Sequence, residues 1–210
     1  GSAEVLAALG VNIDASLETQ AKCLDTVGLC FCFAINHHPT VKFAMPARRS
    51  LGFPTIFNLL GPLTNPANAK RQLIGVYSES LVEPMARALA NLGTERAMVV
   101  HGLDGLDEIS IGAPTRVAHV ERHSVRIDTI HPDRFGLRNA TLDQLQADSL
   151  ERAAELFRDI LAGEPGPTRD IVLINAAAAL VIGGAAPDLA VGVRMSQHAI
   201  DEGDATRTLA

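Results

Sequence analysis

Apolar side chains recur at helical spacing in several parts of the chain. This spacing predicts a helix over residues 81–92. Ser80 with Glu83 predicts a capping box at its start, and Gly93 predicts its C-terminal end. The segment 168–184 is apolar on all sides, which predicts a buried helix. The same spacing predicts further helices over residues 3–9, 15–28, 149–162 and 187–202, and two short helices within 37–52.

Four segments have the apolar composition that is typical of strands. RQLIGVY (71–77) and RAMVVHG (96–102) are short apolar runs, and RVAHVE (116–121) with SVRIDTI (124–130) predicts a hairpin. Strands that alternate with helices indicate an α/β fold, in which helices flank a central mixed sheet. We therefore predict a single α/β domain over residues 1–210.

Composition and charge narrow the class of protein. The chain has 210 residues, 47% of them apolar, and a net charge of −6 from 18 basic and 24 acidic side chains. This acidic balance argues against a nucleic-acid or membrane-surface partner, because phosphate binding needs an excess of Lys and Arg. Cys23, Cys30 and Cys32 have no zinc-site spacing and fit a reducing compartment. With no targeting or membrane-spanning segment evident, we expect a cytoplasmic protein.

One polar stretch follows directly after a predicted buried strand. HGLDGLDEIS (101–110), which we call the acidic loop, contains Asp104, Asp107 and Glu108. Ligands of α/β sheets bind beyond the carboxyl ends of the strands. The adjacent Asp107 and Glu108 could therefore place oxygen ligands beside a phosphate-bound Mg²⁺. A solvated acidic loop without a ligand is the alternative interpretation of the same residues.

A second stretch offers the opposite charge. MPARRSLGFPTIFNLLGPLTNP (45–66) places Arg48 and Arg49 just before an apolar turn. An arginine fork beside an apolar wall suits a planar carboxylate, although either arginine could also cap a carbonyl or lie along the surface. Asn58 and Asn65 could contact a ligand or stabilise the turn.

These two stretches together resemble the characteristic segments of anthranilate phosphoribosyltransferase. The resemblance extends to GSAEVLAALGVNID, GLCFCFAINHHPTVKFA, VLINAAAALVIGG and HAIDEGDA, and so to essentially all 210 residues in the family's order. It implies a C-terminal domain of the nucleoside phosphorylase/phosphoribosyltransferase type. It also implies transfer of the phosphoribosyl group from phosphoribosyl pyrophosphate (PRPP) to anthranilate with Mg²⁺, a step of tryptophan biosynthesis.

The resemblance assigns roles to five residues. Arg48 resembles the residue that binds the anthranilate carboxylate, and Pro62 resembles part of the anthranilate channel wall. Asp107 and Glu108 resemble the Mg²⁺-binding pair, and Ser2 resembles a serine that contacts PRPP. No residue is implied as a covalent nucleophile, so we assign no catalytic residue.

The sequence also departs from the family's pattern. The family's helical domain, its GTGGD phosphate loop and its N-x-S-T and KHGN segments do not occur here. We therefore expect the C-terminal portion of a two-domain enzyme, with little or no transferase activity by itself. The family forms homodimers through the helical domain, so the oligomeric state of this portion stays open.

Other functions fit the sequence less well. A pyrimidine-nucleoside phosphorylase would share the fold, but GPLTNP together with DGLDE favours anthranilate. A nucleic-acid-binding paralogue without enzyme activity should carry a basic stripe, which the acidic balance does not favour. A remnant without a function is the third alternative.

Overall fold

The computed structural model describes residues 2–37, 57–65 and 67–209. Contacts divide the chain into two compact units. The first comprises the described residues of Gly1–Pro66, Ala147–Phe157 and Thr208–Ala210, and the second comprises Ala67–Gln146 and Arg158–Arg207. The prediction of one domain over residues 1–210 stays a prediction.

The N-terminal part of the first unit is helical. Its helices in the described residues are α1 (Ser2–Ala8), α2 (Leu17–Val27), α3 (Ala34–His37) and α4 (Phe57–Leu63). Helix α2 begins where the Ser16 hydroxyl accepts a hydrogen bond from the Thr19 N–H at 3.2 Å, and it ends at Gly28, whose φ is 81°. The predicted helices over 3–9 and 15–28 are confirmed. Residues 38–52 of the predicted short helices lie outside the described residues.

A mixed four-stranded sheet forms the centre of the second unit. The strands lie in the order β1 (Arg71–Gly75), β2 (Arg96–Gly102), β3 (Thr115–Glu121) and β4 (Ser124–Ile130). Strands β1 and β2 are parallel, whereas β3 is antiparallel to both β2 and β4. The predicted hairpin and the predicted mixed-sheet α/β class are therefore confirmed.

Helices flank this sheet and complete the core. The helices that follow β1 along the chain are α5 (Val82–Asn91), α6 (Leu150–Leu161), α7 (Pro167–Gly183), α8 (Leu189–Asp201) and α9 (Asp204–Leu209). Of these, α5 packs against β2, β3 and β4, α7 packs against β1 and β2, and α8 packs against α7. The core joins strand residues such as Val100 and Val117 to Ile174 and Ala177 of α7, all at most 1% exposed. Helices α7 and α8 pack so closely that a Cβ on Gly192 would lie 2.8 Å from the Ala177 Cβ. None of the described helices has the length and apolar character needed to cross a membrane.

The start of α5 differs from the predicted capping box. Ser80 lies in a 3-10 turn before the helix, and its hydroxyl oxygen lies 2.9 Å from that of Ser78. Glu83 instead accepts hydrogen bonds from Arg87 one turn later. The N-cap is Leu81, for which the described residues show no side-chain cap. The capping-box prediction was wrong because the chain makes an extra tight turn before α5 begins.

Candidate active site

The predicted site residues fall in both units. Ser2 is the exposed first residue of α1, and Pro62 is half-buried inside α4, so both belong to the first unit. Asp107 and Glu108 lie side by side in the second unit, and both are exposed. Arg48 lies outside the described residues. The roles of all five residues stay predictions.

The acidic loop lies against the carboxyl ends of the two parallel strands. The main-chain oxygen of Asp107 approaches Gly75, the last residue of β1, so closely that a Cβ there would lie 1.6 Å from it. Only a residue without a side chain fits this contact. The carboxyl end of parallel strands is also the edge at which α/β sheets bind ligands. The backbone therefore holds Asp107 and Glu108 at the edge where a ligand is expected.

Hydrogen bonds within the acidic loop separate its three carboxylates into two groups. The Gly105 N–H donates to the Gly102 carbonyl at 2.8 Å, and the Gly102 N–H donates to the Leu106 carbonyl at 2.8 Å. Asp104 turns back into this structure and accepts a hydrogen bond from the Ser110 hydroxyl at 2.5 Å. The Asp104 carboxylate therefore stabilises the loop, and Asp107 and Glu108 remain as the exposed pair.

Asn175 of α7 holds the far end of the acidic loop, and sequence reasoning missed it. Its Oδ1 accepts from the Ile109 N–H at 2.9 Å, and its Nδ2 donates to the Ile109 carbonyl at 3.0 Å and to the Ile171 carbonyl at 2.9 Å. Ile109 is fully buried and directly follows Glu108. An amide inside the apolar helix segment VLINAAAALV was the available signal, because a polar group in such a place needs partners.

The electrostatics of the exposed pair favour a bound cation. Partial burial of the Glu108 carboxyl raises its pKa, and the neighbouring charge of Asp107 raises it further. The described residues contain no group of three or more His, Cys, Asp or Glu side chains that could hold a metal ion. A Mg²⁺ ion at this pair would therefore take its other ligands from water and substrate oxygens, which is the coordination it commonly has in proteins. The donor set fits Mg²⁺ bound together with a phosphate compound.

Mg²⁺ binding at this pair should depend on pH. A proton and the metal compete for the Glu108 carboxylate, so Mg²⁺ affinity should fall as the pH drops through the raised pKa, which lies above 4.5. Glu108→Gln removes one charged ligand and should weaken Mg²⁺ binding at pH 7 by about tenfold. Isothermal titration calorimetry in the presence of pyrophosphate measures both effects, and Asp143→Asn, at an exposed position outside the loop, is the control.

The same substitution should leave the fold intact. The native protein favours the neutral form of Glu108, so its charge lowers the free energy of unfolding above the raised pKa, and this loss disappears as the pH falls below 4.5. Glu108→Gln should therefore keep or slightly increase the free energy of unfolding at pH 7. Unchanged Mg²⁺ affinity in a folded Glu108→Gln variant would exclude this residue as a ligand.

Comparison with known proteins assigns the chain to a family. Residues 1–206 match the family described as "Glycosyl transferase family, a/b domain", and the chain belongs to this family. It is 48% identical over 209 residues to the anthranilate phosphoribosyltransferase of Thioalkalivibrio sulfidiphilus, covering 100% of this chain and 62% of that protein. The predicted resemblance to anthranilate phosphoribosyltransferase is thereby confirmed.

Solved structures agree with this similarity. The anthranilate phosphoribosyltransferase from Thermus thermophilus superposes with a TM-score of 0.92 at 38% identity, over 100% of this chain and 62% of that chain. The Saccharomyces cerevisiae enzyme in complex with PRPP and Mg has a TM-score of 0.90 at 26% identity, over 100% and 60%. The same yeast enzyme in complex with 4-fluoroanthranilate also has a TM-score of 0.90 at 26% identity, over 100% and 61%. The chain spans about three fifths of the length of these relatives.

Proposed function

We propose that this chain serves in an anthranilate phosphoribosyltransferase, which transfers the phosphoribosyl group of PRPP to anthranilate and releases pyrophosphate. The exposed pair Asp107–Glu108, held at the carboxyl ends of β1 and β2 by the close contact with Gly75, is the observation that carries the proposal. The similarity to a yeast enzyme solved with PRPP and Mg supports the same chemistry.

The acidic pair is proposed to act on the PRPP side of the reaction. Asp107 and Glu108 would hold Mg²⁺ together with phosphate oxygens, and Ser2 would offer its exposed hydroxyl to PRPP. Bound Mg²⁺ would supply positive charge next to the departing pyrophosphate. The two carboxylates therefore orient the phosphate end of the substrate without taking part in a covalent step.

The anthranilate side is proposed to depend on position and shape. Arg48 would donate two parallel hydrogen bonds to the anthranilate carboxylate, and Pro62 would form part of the channel wall. The neutral amine of anthranilate would form the new bond to the anomeric carbon while the bond to pyrophosphate breaks, through an oxocarbenium-like transition state, and one amine proton would leave to solvent. Because an aniline nitrogen needs no strong base, alignment of the two substrates would be the main contribution of the protein.

We also propose a cytoplasmic location and a homodimeric enzyme. Three free thiols, Cys23, Cys30 and Cys32, fit a reducing compartment. The dimer follows from the family resemblance alone. The acidic net charge of −6 supports small-molecule substrates without a nucleic-acid partner.

Arg48→Ala tests the anthranilate assignment in the complete gene product that carries this chain. Loss of a charge-assisted, bidentate contact of about 1.5–3 kcal/mol should raise the KM for anthranilate by at least about tenfold. The KM for PRPP should stay near the wild-type value, because Arg48 is assigned to the other substrate. The decrease of anthranilate fluorescence in the presence of PRPP and Mg²⁺ measures both constants.

Arg49→Ala is the matched control for this experiment, since it removes the same charge one residue away. It should change the KM for anthranilate much less than Arg48→Ala. Equal effects of the two variants would contradict the specific role of Arg48. Phosphate-dependent cleavage of a pyrimidine nucleoside, with no use of anthranilate, would contradict the proposed reaction.

A further inference from the structure

A second charged cavity lies in the second unit, separate from the acidic loop. Its volume is about 510 Å³, and no residue of the acidic loop is among the described residues that line it. The 3-10 turn and loop over 132–138, the start of α7 and the middle of α8 supply its wall. We call it the arginine cavity, after Arg134, Arg138, Arg169 and Arg194.

Positive charge dominates the lining of the arginine cavity. Arg134, Arg138 and Arg194 are exposed, and within the described part of the chain none of their guanidinium groups pairs with a carboxylate. Among the described residues that line the cavity, Asp170 is the one acidic residue, and its Oδ2 already accepts a hydrogen bond from the Arg138 backbone N–H at 3.0 Å. Three exposed guanidinium groups without a carboxylate partner in the described ranges therefore line the cavity beside one carboxylate, which is itself hydrogen-bonded.

Arg169 is a buried arginine at the wall of the cavity, and its hydrogen bonds fix its position. It is 8% exposed, and its guanidinium group donates to the Gly163 carbonyl at 2.9 Å and to the Asp201 carboxylate. Its buried Nε–H has no acceptor among the described residues. Arg169 also lies in the first turn of the 17-residue helix α7, where the backbone contributes further partial positive charge. Asp201 compensates the charge of Arg169, so the remaining positive charge of the cavity comes from the three exposed arginines and the start of α7.

We propose that the arginine cavity binds a small anion that carries a phosphate or diphosphate group. Guanidinium groups donate paired hydrogen bonds that match the oxygens of phosphate. The three exposed guanidinium groups have more N–H donors than the one carboxylate of the lining can accept, so donors remain for a ligand. A volume of about 510 Å³ lies within the range of small-molecule sites. The site takes its ligand through arginines and needs no metal, which distinguishes it from the proposed active site.

Calorimetric titration of the full chain with inorganic pyrophosphate in EDTA tests this proposal. EDTA removes Mg²⁺, so the acidic pair cannot hold the probe. The double variant Arg138→Gln/Arg194→Gln should bind pyrophosphate at least tenfold more weakly than wild type, because two charge-assisted contacts are lost. The control Arg87→Gln/Arg126→Gln makes the same change of charge at exposed residues outside the cavity and should bind like wild type.

Two further probes identify the source of the phosphate group. Tighter binding of ribose 5-phosphate than of inorganic phosphate supports a phosphate ester, whereas tightest binding of pyrophosphate supports a free diphosphate. Arg134→Gln provides a second, single-site variant that should also weaken binding if the double variant fails to fold. A wild-type Kd above about 1 mM for all three probes would overturn the proposal. Equal affinity of wild type and the cavity variants, or tighter binding of citrate than of any phosphate probe, would overturn it as well.

Discussion

Replacing Gly75 with alanine should displace the acidic loop and weaken Mg²⁺ binding about 100-fold. The added Cβ would lie 1.6 Å from the main-chain oxygen of Asp107. The Cβ is bonded directly to the backbone and the oxygen is part of it, so no side-chain rotation can relieve this contact. The loop or the end of β1 must shift, and a displacement of about 1 Å near reacting groups can cost about 100-fold in function. Overpacking of this kind also lowers the free energy of unfolding by about 1–3 kcal/mol.

Gly183→Ala is the matched control for Gly75→Ala. A Cβ at Gly183, the last residue of α7, would meet no atom within 4 Å. This variant should keep Mg²⁺ affinity, and its free energy of unfolding should stay the same or rise by up to about 1 kcal/mol, because alanine favours a helix. Titration of Mg²⁺ with pyrophosphate and urea denaturation compare the two variants. Wild-type Mg²⁺ affinity in Gly75→Ala would show that the contact with Asp107 does not position the pair.

Local patterns predicted the sheet well because its strands have clear boundaries. The apolar run at 96–102 became β2, and the two-residue gap at Arg122 and His123 predicted the hairpin of β3 and β4. Helical spacing predicted α5 but not its exact end. Leu92, the last residue of the predicted segment 81–92, is 60% exposed, whereas Leu89 is fully buried. Leu92 is the C-cap, one residue beyond α5, so it does not share the buried face of the helix.

Contacts between distant residues could not be predicted from these patterns. The sequence placed Asp104, Asp107 and Glu108 in one acidic group, but only the folded loop shows that Asp104 is bonded to Ser110. The adjacency of Asp107 and Glu108 was sufficient to propose a metal pair. The contact of Asp107 with Gly75 joins two separate segments, and such an approach leaves no periodic signal in either of them.

The positive charge of the arginine cavity could not be predicted from the sequence either. Arg134 and Arg138 come from the loop after β4, Arg169 comes from the start of α7, and Arg194 comes from α8. No segment of the sequence is a basic run, and the net charge of −6 points to an acidic protein. A local positive site therefore forms only when folding brings these three segments together.

Asn175→Leu should produce a large loss of stability. Leucine has the same branching and number of side-chain heavy atoms as asparagine but can neither accept the hydrogen bond of the Ile109 N–H nor donate to the Ile109 carbonyl. Both backbone groups adjoin a fully buried side chain, and each unsatisfied group costs about 1–3 kcal/mol. We therefore expect the free energy of unfolding to fall by roughly 2–6 kcal/mol, measured by urea denaturation.

Asn175→Asp separates the two halves of this interaction. An ionised aspartate still accepts from the Ile109 N–H, but it cannot donate to the Ile109 and Ile171 carbonyls. At pH 7 its second carboxylate oxygen would face both carbonyl oxygens, so it should destabilise the protein at least as much as leucine does. Protonation of the aspartate at low pH should recover part of this loss. Because Ile109 directly follows Glu108, the folded leucine variant should also bind Mg²⁺ more weakly. Normal Mg²⁺ affinity combined with a large loss of stability would show that Asn175 supports only the core, whereas parallel losses would show that α7 positions the metal-binding pair through this one amide.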